Sequence, residues 1–166
     1  VSEAQLKKNL EYLRIGSNDG AKHLMGGDQV EQKTPGWYLS PALFINAKNE
    51  MKICREEIFG PIAAVISVSD YDEALSVAND SEFGLSAGIV SNDRLIIDHF
   101  IANIQAGMVQ INLPTAGMDF HAPITGQKNS SFGPPEKSSY CREFFTNTKV
   151  IHANYGKRLN SKREGS

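Results

Sequence analysis

Two adjacent carboxylates, Glu56 and Glu57, stand in the stretch CREEIFGP, directly before the apolar run IAAVISVS. Phe59 and a Gly-Pro pair complete the stretch, so that charge, an aromatic ring and a backbone corner lie together at the entrance to a predicted strand. Either the carboxylates are a solvated edge or one of them binds a ligand. Spacing alone favours the solvated edge.

Other residues capable of chemistry are isolated from one another. Cys54 and Cys141 lie far apart with no CxxC spacing, which argues against a zinc site and a disulfide framework and favours two small buried hydrophobic side chains. His121 could be a general base, but a lone loop histidine is more often a surface or hydrogen-bonded structural residue. For Lys128, a solvated or loop-fixing side chain is the stronger interpretation. We therefore predict no metal site.

Length and charge limit the classes of function. The chain has 166 residues, of which 40% are hydrophobic, and this predicts one domain with a real core. The net charge of -2 favours neither nucleic acid nor an anionic membrane as a partner. Apolar runs such as Ile62 to Ile66 are far shorter than the roughly 20 residues of a membrane helix, and the start VSEAQLKKNL lacks the apolar core of a signal peptide. We expect a soluble, cytoplasmic protein that handles a small molecule or contacts protein.

The elements that position the two carboxylates begin with a helix. Ser2 and Gln5 predict a capping box, and Gly16 is placed to end the helix. One face of this helix is apolar and consists of Leu6, Leu10 and Leu13. The segments GAKHLMGG and GWYLSPALFI are then predicted to be extended, because glycine and proline interrupt apolar stretches too short for helices.

From Ile62 onward, strands and helices alternate. The predicted strands are IAAVISVS, LSAGIVS and MVQINL. The first helix between them is YDEALSVAND, which is capped by Asp70 with Glu73. The second helix is RLIIDHFIANIQ, which begins at Asn92 or Asp93. The second helix is stopped by Gly107, and its apolar stripe consists of Ile97, Phe100, Ile101 and Ile104. Such alternation predicts right-handed crossovers, a parallel sheet and an α/β fold.

A long loop follows the last of these strands. Residues 114–135 exceed the usual length of a connection, and the loop begins at the carboxyl end of a strand, where open α/β sheets bind ligands. A short helix around Lys137 to Phe144 and a strand TKVIHANY are predicted after it. The polar tail KRLNSKREGS is predicted to be solvated and disordered.

Four blocks of sequence stand in order along the chain: EEIFGP at 56–61, DEALSVANDSEFGLSAGIVS at 72–91, AGMVQIN at 106–112 and PITGQKNSSFG at 123–133. Together they resemble the NAD(P)-dependent aldehyde dehydrogenase family. Each block is weak alone, but four in order over about a hundred residues are specific. CREEIFGP with NLPTAGMDFH is most similar to the 2-oxoglutarate-semialdehyde (2,5-dioxovalerate) dehydrogenase branch. The resemblance extends to about Ala153 and corresponds to the C-terminal part of such an enzyme.

This resemblance implies a division of the chemistry. In the family, a cysteine thiolate attacks the aldehyde carbon, hydride passes to NAD or NADP, and a glutamate-activated water hydrolyses the thioester. The resemblance implies that nucleophile and base both lie upstream of the segment matching Val1. Neither Cys54 nor Cys141 occupies the place of the nucleophile, so no catalytic residue is assigned to this chain.

The resemblance assigns Glu57 and Phe59 to the cofactor. Glu57 would accept hydrogen bonds from the two hydroxyls of the nicotinamide ribose, and Phe59 would lie beside the nicotinamide ring. Gly60 and Pro61 would turn the chain so that both side chains face the cleft. The resemblance thereby favours ligand binding by Glu57 over the solvated edge that spacing alone favours.

The same resemblance assigns part of the long loop to the aldehyde. Residues expected to line the substrate tunnel are Pro114, Thr115 and Ala116, with Ile124 across from them. The family usually has Pro-Phe-Gly-Gly where this chain has PITG at 123–126, which removes an aromatic wall and a flexible glycine. Pro134 and Pro135 also indicate an altered turn. Either the pocket is retuned or its constraint has lapsed.

Three regions are predicted. Residues 1–145 would be the C-terminal portion of the catalytic domain, 146–156 a strand that pairs with a neighbouring subunit to form a homo-oligomer, and 157–166 a disordered tail.

Two hypotheses about the function stay open. The chain is either a section of an aldehyde-oxidising enzyme that is inactive alone, or a non-catalytic remnant or interaction protein that keeps the fold. A continuous reading frame upstream of Val1 that encodes the nucleophile would support the first.

Overall fold

A computed structural model describes residues 2–117 and 119–156. The helices are α1 (Glu3–Asn18), α2 (Lys52–Arg55), α3 (Tyr71–Asn79), α4 (Arg94–Asn103) and α5 (Cys141–Phe145), with a 3₁₀ turn at Ser138–Tyr140 before α5. The strands are β1 (Lys22–Met25), β2 (Gln29–Val30), β3 (Tyr38–Leu39), β4 (Ala42–Ala47), β5 (Ile62–Ile66), β6 (Phe83–Gly84), β7 (Ser86–Ile89), β8 (Met108–Ile111) and β9 (Gln127–Lys128).

The first unit of the fold is a three-stranded sheet in the order β1-β4-β5, covered by α1. Strand β4 pairs antiparallel with β1 and parallel with β5. Its central residue Phe44 is fully buried, and Tyr12 and Leu13 of α1 and Ile53 of α2 belong to the same core. Burial of this apolar cluster is what fixes α1 against the sheet.

The second unit is built around the parallel pair β7 and β8. Helix α4 connects the two strands, and its Phe100 and the following Ile104 form a second core with Ala106. Tyr71 and Leu75 of α3 pack against this core. Two short antiparallel pairs, β2 with β3 and β6 with β9, complete the described strands.

The predicted α/β class and most of the predicted elements are confirmed, but the single parallel sheet is wrong. Strand β5 pairs with β4, whereas β7 pairs with β8 in a separate sheet. Ala63, Ala64 and Val65 of β5 are exposed. An apolar run identifies a strand, but the choice of its partner depends on contacts distant in sequence, which the run does not encode.

Helix starts follow the predicted caps. Ser2 Oγ accepts from the backbone nitrogen of Gln5 at 3.2 Å, and Asp70 and Asp93 cap α3 and α4. The reciprocal half of the box at Ser2 is absent from the described contacts, because Gln5 Nε2 donates to Asn9 and Ile58. These side-chain acceptors satisfy backbone donors that have no partner within a helix.

Two glycines predicted to end helices have another role. Helix α1 continues through Gly16 to Asn18, and a Cβ at Gly16 would lie 3.0 Å from Ile53 and 3.1 Å from Phe44. Helix α4 ends at Asn103, before Gly107, where a Cβ would lie 2.1 Å from the backbone oxygen of Thr125. Both positions need glycine because other groups approach the backbone closely.

The turn after α3 joins the two units. Asp80 Oδ2 accepts from Arg55 Nη2 at 2.9 Å and from Asn49 Nδ2 at 2.6 Å. Lys128 Nζ donates to the backbone oxygens of Asn79 at 2.5 Å and Ser81 at 2.9 Å. The loop-fixing interpretation of Lys128 is therefore confirmed. The charged amine of Lys128 also lies at the C-terminal end of α3, where the helix dipole is negative.

The predicted C-terminal strand is not a strand within this chain. A helical segment, Ser138–Phe145, is found close to its predicted place, but residues 146–156 form no ladder with any described residue. Val150 and Ile151 are 73% and 74% exposed, because no strand of the described residues lies beside them. Pairing with a second subunit stays a prediction. The predicted disordered tail, 157–166, lies outside the described residues.

Candidate functional site

Polar side chains on one face of α1 hold the backbone of the EEIFG segment, residues 56–60. Gln5 Nε2 donates to the backbone oxygen of Ile58 at 3.0 Å. Lys8 Nζ donates to the backbone oxygen of Glu57 at 3.1 Å. Residues three and four apart share a helix face, so α1 contacts successive peptide groups of the segment.

A third contact from α1 holds the first carboxylate of the segment. The Tyr12 hydroxyl donates to Glu56 Oε2 at 2.5 Å, and Lys52 Nζ lies 3.7 Å from the same oxygen. This hydrogen bond, followed by burial and by the charges of Glu56 and Glu11, raises the pKa of Tyr12 above its ordinary value of 10.0. The Glu56 carboxylate is thus already engaged by side chains of this chain.

The second carboxylate, Glu57, lines an open cleft of about 320 Å³. The other residues that line it come from the second unit: Phe83, Leu85, Asn129 and Ser130. Within the described chain, no side chain forms a hydrogen bond or ion pair with the Glu57 carboxylate. Both of its oxygens are therefore free to accept hydrogen bonds from a ligand.

Phe59 and Gly60 show why the segment has its shape. Phe59 has a φ of 59°, in a region that bulky residues rarely adopt, and its side chain is 75% exposed. A Cβ at Gly60 would lie 2.4 Å from both amide atoms of the buried Asn9 side chain. The glycine is thus needed for close approach to α1. An exposed ring on a strained backbone motivates a functional hypothesis for Phe59, although Phe59 is outside the lining of the Glu57 cleft.

The predicted substrate residues are divided between two places. Asn112 directly follows β8 and has a φ of 54°. Its side-chain amide accepts from the backbone nitrogen of Ser91 and donates to the backbone oxygen of Ser91, each at 2.9 Å. Thr115 follows close to Gly88 of β7, and its neighbours Pro114 and Ala116 are exposed. Ile124 is half-buried and pairs its backbone with Glu136 through bonds of 2.8 and 2.9 Å. Asn112 therefore directs residues 114–116, and a different contact holds Ile124.

The remaining candidates from the sequence are not arranged for catalysis. Cys54 is half-buried, and burial, with the charge of Glu50, raises the pKa of its thiol. His121 is exposed and contacts Asp119 at 3.2 Å, which agrees with a surface role.

Across residues 2–117 and 119–156, no group of three or more His, Cys, Asp or Glu side chains could hold a metal ion. The same residues contain no helix of the length and hydropathy needed to cross a membrane.

Sequence reasoning missed the contribution of α1 to the site. A signal was present, because Gln5, Lys8 and Tyr12 are spaced by three and four residues and lie beside the leucine stripe. Such a polar row on a helix is usually a solvated face. Only the fold shows that residues 56–58 lie against it.

Comparison with known proteins gives a consistent result. Residues 1–151 match the model of the aldehyde dehydrogenase family. An alpha-ketoglutarate semialdehyde dehydrogenase from Haloferax volcanii is 39% identical over 158 residues, which are 93% of this chain and 33% of the relative. An alpha-ketoglutaric semialdehyde dehydrogenase from Bacillus subtilis is 41% identical over 153 residues, which are 91% of this chain and 31% of the relative.

Solved structures agree with the sequence relatives. An NAD-dependent aldehyde dehydrogenase from Sinorhizobium meliloti superposes with a TM-score of 0.83 and 34% identity, covering 94% of this chain and 30% of that one. A Mycobacterium tuberculosis aldehyde dehydrogenase complexed with NAD+ gives 0.82 and 31%, covering 93% and 32%. The chain therefore spans about a third of the length of the relatives it matches.

Proposed function

The chain belongs to the aldehyde dehydrogenase family, and from this membership we propose that it supplies the nicotinamide-ribose contact and the aldehyde-channel wall of an NAD(P)-dependent enzyme that oxidises aldehydes. The observation that carries the proposal is the free carboxylate of Glu57 at a cleft, on a backbone fixed by α1. NAD(P), when bound, accepts the hydride. The role of Glu57 is to hold the ribose so that the ring stays in place for that transfer.

The chemistry of Glu57 fits a ribose. Its two oxygens can accept from two neighbouring hydroxyls, and a charged acceptor makes stronger hydrogen bonds than a neutral one. Because Gln5 and Lys8 already hold the backbone at Ile58 and Glu57, little backbone conformational entropy would be lost on binding. A fixed acceptor of this kind favours one orientation of the ligand.

A semialdehyde of the 2-oxoglutarate type is the substrate class that we assign to the complete enzyme. Support comes from the names of the Haloferax and Bacillus relatives. Pro114, Thr115, Ala116 and Ile124 are the residues assigned to the channel. Isoleucine at 124 is smaller than the aromatic residue that the family usually has, so the channel wall would be less extensive there.

The nucleophilic cysteine is assigned to a part of the enzyme outside this chain. Cys54 supports this assignment because burial favours its neutral thiol, whereas a nucleophile requires the thiolate. We expect the purified chain to reduce neither NAD nor NADP with aliphatic aldehydes or semialdehydes. Activity that is lost with Cys54→Ser alone would contradict the assignment.

A chimera tests the function of Glu57. The matching third of the Bacillus subtilis relative is replaced by this chain, and Glu57→Gln is compared with Glu31→Gln, a matched change at an exposed carboxylate with no described contact. Loss of a charge-assisted hydrogen bond costs about 1.5–3 kcal/mol, so hydride transfer should fall at least about tenfold with Glu57→Gln only. Unchanged cofactor kinetics would indicate that Glu57 is a solvated carboxylate that does not bind the cofactor.

The chimera also separates the proposed function from a non-catalytic remnant. The PITG sequence at 123–126 favours a remnant, because it lacks the aromatic wall and the glycine that the family usually has there. A folded chimera that oxidises no aldehyde would support the remnant and overturn the proposed function. Activity with a changed aldehyde preference would support a retuned pocket.

A further inference from the structure

Glu56 and Glu57 are adjacent in sequence but have opposite surroundings. Glu56 Oε2 accepts from the Tyr12 hydroxyl at 2.5 Å and lies 3.7 Å from Lys52 Nζ. Glu57 lines the cleft, and its carboxylate has no side-chain partner among the described residues. The pair therefore consists of one bound and one available carboxylate.

The backbone explains how one carboxylate directs the other. Glu56 has φ -106° and ψ 149°, an extended conformation in which successive side chains point to opposite sides of the chain. When Glu56 is held against α1, the next side chain must turn away from α1. That direction leads Glu57 toward the cleft that it lines.

Tyr12 is suited to be a fixed point. It is only 8% exposed and belongs to the core of the first unit, so packing determines where its hydroxyl lies. Lys8 and Lys52 place their Nζ atoms 5.6 and 5.9 Å from the centre of its ring. Lys52 Nζ thus lies near both the Tyr12 ring and the Glu56 carboxylate.

We propose that Tyr12 and Glu56 are positioning residues, which set the direction of Glu57 through their hydrogen bond and so orient the nicotinamide ribose. The inference rests on the proposed function only in its last step, the ribose contact. The hydrogen bond and its effect on the direction of Glu57 are properties of this chain alone.

The first experiment tests the contact in the chain itself. Absorbance at 295 nm follows the ionisation of the tyrosine hydroxyls as pH rises. In Glu56→Gln, one hydroxyl should ionise at lower pH than in the natural sequence, and this change should be absent when Tyr12→Phe is already present. Titrations of the natural chain and Glu56→Gln that superimpose would overturn the inference, whatever the chain binds.

The second experiment tests positioning in the Bacillus chimera. Tyr12→Phe and Glu56→Gln should each raise the KM for NAD by about three- to tenfold, leave the KM for the aldehyde unchanged, and increase the deuterium isotope effect on kcat. The double variant should be no worse than either single variant, because both remove the same bond. Tyr71→Phe is the matched control, since it removes a hydroxyl that contacts His99 at 2.9 Å in the other unit.

The outcomes separate the two proposals. If Glu57→Gln alters cofactor kinetics but Tyr12→Phe and Glu56→Gln behave like Tyr71→Phe, the positioning inference is wrong and the proposed function stands. If Glu57→Gln has no effect, the proposed function fails, while the titration still decides the contact. Because Glu56 has a side chain that is 48% exposed, Glu56→Gln leaves the core intact and gives a result even if Tyr12→Phe folds poorly.

Discussion

Replacing Gly60 by alanine would test whether α1 fixes the EEIFG segment. The added Cβ would lie 2.4 Å from Asn9 Nδ2 and Oδ1, whereas non-bonded heavy atoms prefer about 3.5–4.0 Å. A shift of more than about 1 Å is therefore required. Asn9 is only 5% exposed, and its Oδ1 accepts from Gln5 Nε2 at 2.9 Å, so the amide cannot move without loss.

The cost follows from the two ways in which the overlap can be relieved. If Asn9 rotates, it loses the bond to Gln5, worth about 1 kcal/mol, and a buried amide is left partly unpaired, which costs about 1–3 kcal/mol. If the segment moves away instead, it loses the bonds to Gln5 and Lys8 at about 1 kcal/mol each. The lower entropy of the unfolded alanine chain offsets about 0.4–1 kcal/mol. We expect a net destabilisation of about 2 kcal/mol.

Trp37 provides the assay. It is the only tryptophan, and it lines a cleft together with Asn9 and Pro61, so its fluorescence reports on this region. With a urea dependence of about 1–3 kcal/mol per molar, the unfolding midpoint should fall by about 1 M. Gly88→Ala is the control, because its Cβ would lie 3.1 Å from the methyl group of the exposed Thr115, which can yield.

A double-mutant cycle gives the result that would refute this reasoning. In an Asn9→Ala background the amide atoms are gone, so the cost of Gly60→Ala should fall below about 0.5 kcal/mol. If the two substitutions are additive within that margin, the overlap with Asn9 does not determine the cost. The segment would then not be fixed by this contact.

Four further outcomes are expected. Phe44→Ala should cost about 3–5 kcal/mol of stability in the Trp37 assay, since Phe44 is fully buried, and a loss under 1 kcal/mol would contradict the described core. In a Cys141→Ser variant, Cys54 should react with iodoacetamide at pH 8 more slowly in the folded than in the urea-unfolded chain, because its thiol pKa is raised; equal rates would contradict this. The backbone and hydroxyl hydrogen bonds from Ser69 lower the pKa of Glu73 below its ordinary 4.5, so their contribution to stability is present above pH 4.5 and lost as pH falls through the lower, folded pKa. Glu73→Gln should therefore lower the urea midpoint more at pH 7 than at pH 2.5, and an equal effect at both would exclude the charge as the cause. Light scattering should detect a dimer or larger assembly that Val150→Pro weakens, because the exposed β-prone residues 148–152 have no partner strand in the described part of the chain; a monomer at every concentration would rule out assembly through this segment.

Local features of the fold were predictable from the sequence, and long-range ones were not. The caps at Ser2, Asp70 and Asp93 follow from side-chain acceptors next to apolar periodicity, which is a local pattern. Gly16 was misread as a helix end because the sequence does not show that Phe44 and Ile53 pack on it. The partner of β5 was misassigned for the same reason.

The candidate site divides in a similar way. Glu57 was selected from its family motif, and the structure places it at a cleft. The contact between Tyr12 and the neighbouring Glu56, 44 positions apart in the chain, could not be predicted, because a polar residue beside a leucine stripe resembles any solvated helix face. The assignments of Pro114, Thr115, Ala116 and Ile124 stay predictions, since they depend on a substrate.

The separation of the apolar clusters determines how the chain should lose its structure. The cluster around Phe44 and the cluster around Phe100 share no residue among the described positions, and Arg55 and Asn49 join the units mainly through polar contacts to Asp80. Cooperative opening requires shared packing, so each cluster should exchange its amide hydrogens for deuterium with its own free energy. Trp37 lines a cleft with Asn9 of α1 and would report only the transition of the first unit. Helix α4 should therefore gain or lose protection at a urea concentration that tryptophan fluorescence does not register.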